Sequence, residues 1–210
     1  MIAPEGIPFV LAGAALALFC SLVWPKVLPV SAAAVLLTLF VAWFFRNPGR
    51  TPPAVPGSVV SPADGTIVYS GDCPPGRYFA EPGKKVSVFM SIFDVHVNRA
   101  PVSGTVASVE YHPGRFHIAS VDKASLENEQ NGVRIVMDDR REVAYVQIAG
   151  WVARRVVCDL AKGDRVEQGQ RVGMIRFGSR VDILMPARSE LKVRTGDRVR
   201  AGETVVGVLP

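Results

Sequence analysis

Gly163-Asp164-Arg165-Val166-Glu167-Gln168-Gly169-Gln170-Arg171-Val172 recurs 33 residues later as Gly196-Asp197-Arg198-Val199-Arg200-Ala201-Gly202-Glu203-Thr204-Val205. Each copy sets a Gly-Asp turn before a short apolar step, with a second glycine before the next. Glycine takes backbone geometries that other residues resist, and an aspartate side chain closes turns on its own backbone. Two copies point to a pseudo-symmetric β unit, because a solenoid needs three or more repeats. A weaker echo lies upstream, where Pro62-Ala63-Asp64-Gly65-Thr66 pairs with Pro101-Val102-Ser103-Gly104-Thr105.

Short apolar alternations surround these turns. Ile67–Tyr69, Val86–Met90, Gly104–Val109, Val133–Met137, Val143–Ala149 and Val181–Leu184 read as strands. Ala153–Ala161 fits a short helix or a strand followed by a turn. Between the two repeats lies Met174-Ile175-Arg176-Phe177-Gly178-Ser179-Arg180-Val181-Asp182-Ile183-Leu184. Its Gly-Ser pair is flanked by apolar residues on both sides, so it sits at a turn or kink between two strands. The expected fold is mainly β, a flattened barrel-like or sandwich domain over residues 51–210.

Residues 1–50 differ in kind. Ile7–Trp24 and Val27–Phe45 are almost wholly apolar, and only Pro25 and Lys26 separate them. Each approaches the length of a bilayer-spanning helix, so a membrane-anchoring helical hairpin is expected; a shallow, non-spanning anchor is the alternative, since Pro8 and Pro29 shorten both helices. Trp24 and Trp43-Phe44-Phe45 would sit near the interfaces. Arg46 and Arg50 follow the second segment and no basic residue precedes the first. The positive-inside rule then places the C-terminal domain in the cytoplasm, at the inner membrane. A signal peptide would begin with a positive region, which is missing here. Arg46-Asn47-Pro48-Gly49-Arg50-Thr51-Pro52-Pro53 cannot continue a helix and reads as a linker.

The formal net charge of +5 suits an anionic lipid surface. No long basic run or basic-aromatic module speaks for nucleic acid. Cys20, Cys73 and Cys158 are odd in number and far apart, so they mark neither a disulfide framework nor a zinc site. The sequence does not set the oligomeric state; a homo-oligomer is compatible with it.

Few residues are candidates for chemistry. Ser179 places a hydroxyl beside the Gly178 carbonyl, which it can attack if a base takes its proton. Of the three histidines, His96 lies in Phe93-Asp94-Val95-His96-Val97-Asn98-Arg99. In strand periodicity Asp94, His96 and Asn98 share one face. Asp64 sits in a Pro-Ala-Asp-Gly turn. His112 reads as a turn residue and His117 has no nameable partner. No spacing of His, Asp and Glu suits a metal.

The Gly-Asp turns resemble biotinyl and lipoyl carrier domains, and Asp122-Lys123-Ala124 matches the lipoyl attachment tripeptide. A membrane-anchored carrier is therefore the alternative reading. Lys123, however, precedes the polar run Ala124–Asn131, which suits a loop better than the exposed hairpin tip of a carrier lysine.

A second resemblance covers nearly the whole chain. Phe44-Phe45-Arg46-Asn47-Pro48, Ser61-Pro62-Ala63-Asp64-Gly65, Phe93–Asn98, Tyr111-His112-Pro113-Gly114, Asp122-Lys123-Ala124-Ser125 and Phe177–Asp182 resemble, in order and spacing, the short bacterial and archaeal form of phosphatidylserine decarboxylase. The resemblance implies a proenzyme that cuts itself between Gly178 and Ser179. It implies a β chain of residues 1–178 and an α chain of residues 179–210 whose Ser179 becomes a pyruvoyl group. It further implies a Schiff base with phosphatidylserine, loss of carbon dioxide and release of phosphatidylethanolamine. His96 is expected as the base for Ser179, with Asp64 orienting it as in a triad. Arg176, Arg180 and Arg115 are candidates for the substrate's phosphate or carboxylate. Longer members have Leu-Gly-Ser-Thr at the processing site where this chain has Phe-Gly-Ser-Arg. They also carry a second histidine where this chain has Arg99. A pyruvoyl decarboxylase acting on a soluble amino acid is the related enzyme alternative, and the apolar hairpin argues against it.

Overall fold

A computed structural model of the chain describes residues 1–23, 28–114, 128–150, 156–176 and 179–210. The chain divides into two compact units, Met1–Gly49 and Arg50–Pro210.

In the first unit a 3-10 turn at Pro4–Gly6 leads into α1 (Ile7–Val23), and α2 is Leu28–Phe44. Hydroxyls in these helices bond back to the preceding turn: Ser21 to the Ala17 carbonyl at 2.8 Å and Thr38 to Ala34 at 2.7 Å. Neither is left unmet in apolar surroundings. The helices approach closely at Gly13, where a Cβ would lie 2.7 Å from Thr38 Oγ1. Their open ends are tied together, Ala3 N–H donating to Phe45 and Asn47 N–H to Met1. The apolar helix Pro4–Val23, 20 residues, is long enough to cross a bilayer. Among the described residues the second apolar helix, Pro29–Phe44, is shorter.

Among the described residues the second unit holds fourteen strands in chain order. They are β1 (Ser58–Val60), β2 (Gly65–Cys73), β3 (Gly83–Met90), β4 (Val97–Arg99), β5 (Gly104–His112), β6 (Gln130–Val136) and β7 (Glu142–Ile148). Then follow β8 (Val156–Cys158), β9 (Arg165–Val166), β10 (Arg171–Ile175), β11 (Ser179–Pro186), β12 (Glu190–Leu191), β13 (Arg198–Val199) and β14 (Val205–Val208). The expected strands fall on β2, β3, β5, β6, β7 and β11, with Met137 and Ala149 each one residue past the end of β6 and β7. In the Ala153–Ala161 stretch, the described part contains a strand at Val156–Cys158, paired with β10.

The large sheet runs β13-β2-β3-β11-β7-β6-β5-β9, and the small sheets run β1-β14-β12 and β4-β10-β8. Read from either end, the large sheet gives a two-residue strand and then a nine-residue bulged strand. The bulges fall at Ile67/Tyr69 in β2 and at Val106/Ser108 in β5. The same hydrogen bonds recur in both halves. Gly202 N–H donates to Ser61 and Gly169 N–H to Ala100, at 2.8 and 2.9 Å; Gly196 N–H donates to Ile67 and Gly163 N–H to Val106, at 2.8 and 2.9 Å. The strong repeat and its weak upstream echo are thus the two sides of one interlock, made twice. Glycine opens both bulged strands because a Cβ at Gly65 or Gly104 would lie 2.1 or 2.4 Å from the carbonyl oxygen of Phe89 or Val136.

One copy is β4–β10, contiguous in sequence. The other is β1–β3 completed by β11–β14, so the first copy is inserted into the second. The chain passes between copies from β3 to β4 and again from β10 to β11. The strands flanking the two crossings are neighbours, because β3 pairs with β11 and β4 with β10, both antiparallel. Between the sheets lies the core. Val86, Val88, Met90, Val133, Ile135, Val143, Tyr145, Val181, Ile183 and Met185 are fully buried in it, alternating along their strands.

Candidate functional site

His96 and Ser179 sit on the two crossings between copies, one just before β4 and the other opening β11. Ser179, the first residue of β11, is the ladder partner of Met90, the last residue of β3. On the other side Met174 is opposite Val97, and Ile175 N–H donates to the His96 carbonyl at 3.3 Å. His96 and Ser179 are both fully buried. Gly178 lies outside the described residues, as do Arg115, His117 and Lys123.

The expected stripe of Asp94, His96 and Asn98 takes a different form, because the strand starts only at Val97. Asp94 sits in a turn instead. Its carboxylate accepts the Ser91 N–H and hydroxyl at 2.8 and 2.7 Å, and Arg198 at 2.6 Å. All three side chains are nevertheless buried. His96 Nδ1 lies 3.0 Å from the Asp94 carbonyl oxygen. A carbonyl only accepts, so Nδ1 carries the hydrogen and Nε2 is the basic nitrogen of the neutral ring.

Asp64 spends its oxygens elsewhere. It accepts the Ala201 N–H at 2.7 Å and Arg50 Nη2 at 2.8 Å. Burial pushes its pKa up, against the Ala201 N–H and the Arg50 charge, while the nearby Asp94 charge adds to the rise. Its loop also supports β4, since the Pro62 carbonyl accepts the Arg99 N–H at 2.9 Å. The hydrogen bond at His96 Nδ1 that an Asp64 triad would supply comes from the Asp94 backbone.

Ser179 Oγ donates to Met90 Sδ at 3.4 Å. Sulfur is a weak acceptor, so this contact places the hydroxyl without gripping its proton. The Asn98 amide reaches the same sulfur at 3.9 Å. Arg180, the next residue, is 1% exposed and forms a bidentate pair with Asp182, at 2.6 and 3.0 Å, and a bond to Ser87 Oγ at 3.1 Å. It is a buried ion pair rather than a solvated charge. Arg176 is half-buried at the second crossing. A cavity of about 420 Å³ lies on the opposite face of β11 from the Ser179 hydroxyl, lined by Val146, Ile148, Asp182, Leu184 and Lys85 beneath residues 73–79.

A family model described as phosphatidylserine decarboxylase matches residues 37–207. The chain belongs to the phosphatidylserine decarboxylase family. The phosphatidylserine decarboxylase proenzyme of Geobacter sulfurreducens is 47% identical over 100% of this chain and 97% of its own length. That of Trichlorobacter lovleyi is 49% identical over 98% and 95%. That of Syntrophus aciditrophicus is 44% identical over 98% and 96%. Membership fixes the activity as phosphatidylserine decarboxylase, a lyase of phospholipid biosynthesis made as a zymogen, with a serine-derived pyruvoyl group as cofactor. The carrier reading and the soluble amino acid reading give way to it.

The site fits such a group. Ser179 is buried at the very start of a strand paired on both sides, by Met90–Gly83 and, from Arg180 onward, by Ile148–Ala144. Sequence reasoning passed over Gln147 and Asn131. Both share a strand face with core residues, Gln147 with Val143 and Tyr145, and Asn131 with Val133 and Ile135. An amide on the core side of an apolar strand is the signal that marks them.

Proposed function

We propose that the chain cuts itself between Gly178 and Ser179 and then decarboxylates phosphatidylserine at an anionic membrane surface, on the cytoplasmic side of the inner membrane. The observation that supports this reading is the pairing of the strands that flank the two crossings, with buried His96 just before β4 and buried Ser179 opening β11.

Ser179 Oγ attacks the Gly178 carbonyl carbon, and its proton passes to His96 Nε2. The peptide C–N bond breaks, the nitrogen takes that proton back, and an ester remains. Loss of the Ser179 α-proton expels the Gly178 carboxylate and frees residues 1–178. The dehydroalanine left behind takes up water and loses ammonia, which gives the pyruvoyl end of residues 179–210. Asp64 supports this from a distance. Its loop fixes β4, the strand that His96 leads into, through the Pro62 carbonyl and the Arg99 N–H. Once formed, the pyruvoyl group supplies an electron sink for the pair left on the substrate's α-carbon. His96 returns a proton to that carbon from Nε2. Arg176, at the second crossing, and Arg115 are proposed to meet the lipid phosphate, and Arg180 to hold Asp182 and the start of β11. The apolar N-terminal helix keeps the domain where its two-chain substrate is confined, and Arg46 and Arg50 after the helices favour the cytoplasmic side.

The test is His96→Ala beside Ser179→Ala in the full chain. Both precursors should remain one polypeptide. Normal scission in His96→Ala would remove His96 from processing, and scission in Ser179→Ala would remove the serine.

A further inference from the structure

Three side-chain amides form a buried row that ends beside Ser179. Asn131, Gln147 and Asn98 are 3%, 0% and 0% exposed. Asn131 Nδ2 donates to Gln147 Oε1 at 3.2 Å, and Gln147 Nε2 donates to Asn98 Oδ1 at 2.9 Å. Asn98 Nδ2 then points to Met90 Sδ, the sulfur that also receives the Ser179 hydroxyl.

Backbone carbonyls pin the polarity of this row. Gln147 Nε2 lies 3.3 Å from the Val157 carbonyl oxygen, which only accepts, so the NH2 end of Gln147 must face that way. Asn98 must then turn its oxygen to Gln147 and its NH2 outward. The Pro62 carbonyl, 3.5 Å from Asn98 Nδ2, agrees. Buried amides of this kind destabilise a core unless every end is satisfied, so the arrangement is specific.

We infer that Gln147 is a positioning residue for self-cleavage: it fixes Asn98 with its N–H donors, not its oxygen, toward Ser179. The inference rests on Gly178–Ser179 being the scissile pair. As Oγ adds to the Gly178 carbonyl carbon, the carbonyl π electrons move onto its oxygen, and a donor edge at the site favours that charge while an acceptor edge repels it. Losing one such donor slows acyl transfer about 100- to 1,000-fold.

Gln147→Glu tests the polarity. A carboxylate only accepts, so Asn98 must turn its NH2 to Glu and its oxygen to Ser179. Scission of the full chain, synthesised cell-free into detergent micelles, should slow about 100- to 1,000-fold near neutral pH. As pH falls the new carboxyl protonates and donates again. The variant-to-wild-type rate ratio should therefore rise between about pH 8 and pH 5, while protonation of His96 slows both chains alike. Gln147→Leu, of similar volume without polar ends, should slow scission similarly and show no such rise. Should Gln147→Glu not fold, Gln147→Leu alone decides. A folded variant that cleaves at the wild-type rate, or a Gln147→Glu ratio flat with pH, overturns the inference. Wild-type chain that never yields a 179–210 fragment overturns the scissile-pair reading instead.

Discussion

Asp182→Ala should unfold the β domain at markedly lower temperature. Arg180 and Asp182 side chains are 1% and 6% exposed, and the carboxylate takes two guanidinium bonds at 2.6 and 3.0 Å. Arg180 lies between Phe89 of β3 and Ile148 of β7, at the centre of the large sheet. Truncating Asp182 removes the carboxylate that takes two of the guanidinium's bonds in the buried sheet. Breaking a buried pair from one side costs about 3–5 kcal/mol. For a domain of this size each kcal/mol moves Tm by about 2–4 °C, so a fall of roughly 6–20 °C is expected. The double variant Arg180→Met/Asp182→Leu removes both charges and should recover most of that loss. Thermal unfolding by circular dichroism, in a Ser179→Ala background so that one polypeptide melts, gives the comparison. A single variant within about 2 °C of its parent, or a double variant no better than the single, would refute the reasoning.

Asp64 gives a pH dependence. Burial raises its folded pKa above the unfolded value, so its contribution to stability relative to Asp64→Asn is fully present below about pH 4. That contribution is lost as pH rises through the folded pKa. Urea unfolding of both chains across this interval should show the wild type losing ground, and a pH-independent difference contradicts the assignment. Gly104→Ala forces a Cβ against the Val136 carbonyl and should cost about 1–3 kcal/mol, read as a lower unfolding midpoint; no change would deny the close approach. Deleting residues 1–49 should abolish co-sedimentation with anionic vesicles while scission continues. A folded truncated chain that no longer cleaves would show that the helices take part in processing.

Much of the fold is written locally. The Gly-Asp repeat, its echo at Pro62 and Pro101, and period-two alternation in β2, β3, β5, β6, β7 and β11 follow from turn chemistry and burial. The insertion of one copy into the other does not, because alternation tells which face a residue takes and not which distant strand it joins. β3 and β11 are neighbours in space across the whole inserted copy. The site divides in the same way. Ser179 and His96 stand out by residue type. The hydrogen bond to His96 comes from the Asp94 carbonyl, which no side-chain pattern displays, and the turn at Asp94 breaks the strand periodicity assumed for it. Gln147 and Asn131 were visible as amides on core faces, but their connection to Asn98 needed the cross-strand register.

Intact mass of the purified full chain tests the account most directly. The prediction is two polypeptides, residues 1–178 and a 179–210 chain whose first residue is a keto acid, reducible by borohydride and closed to Edman sequencing. A single mass for residues 1–210 in a preparation that decarboxylates phosphatidylserine would contradict it.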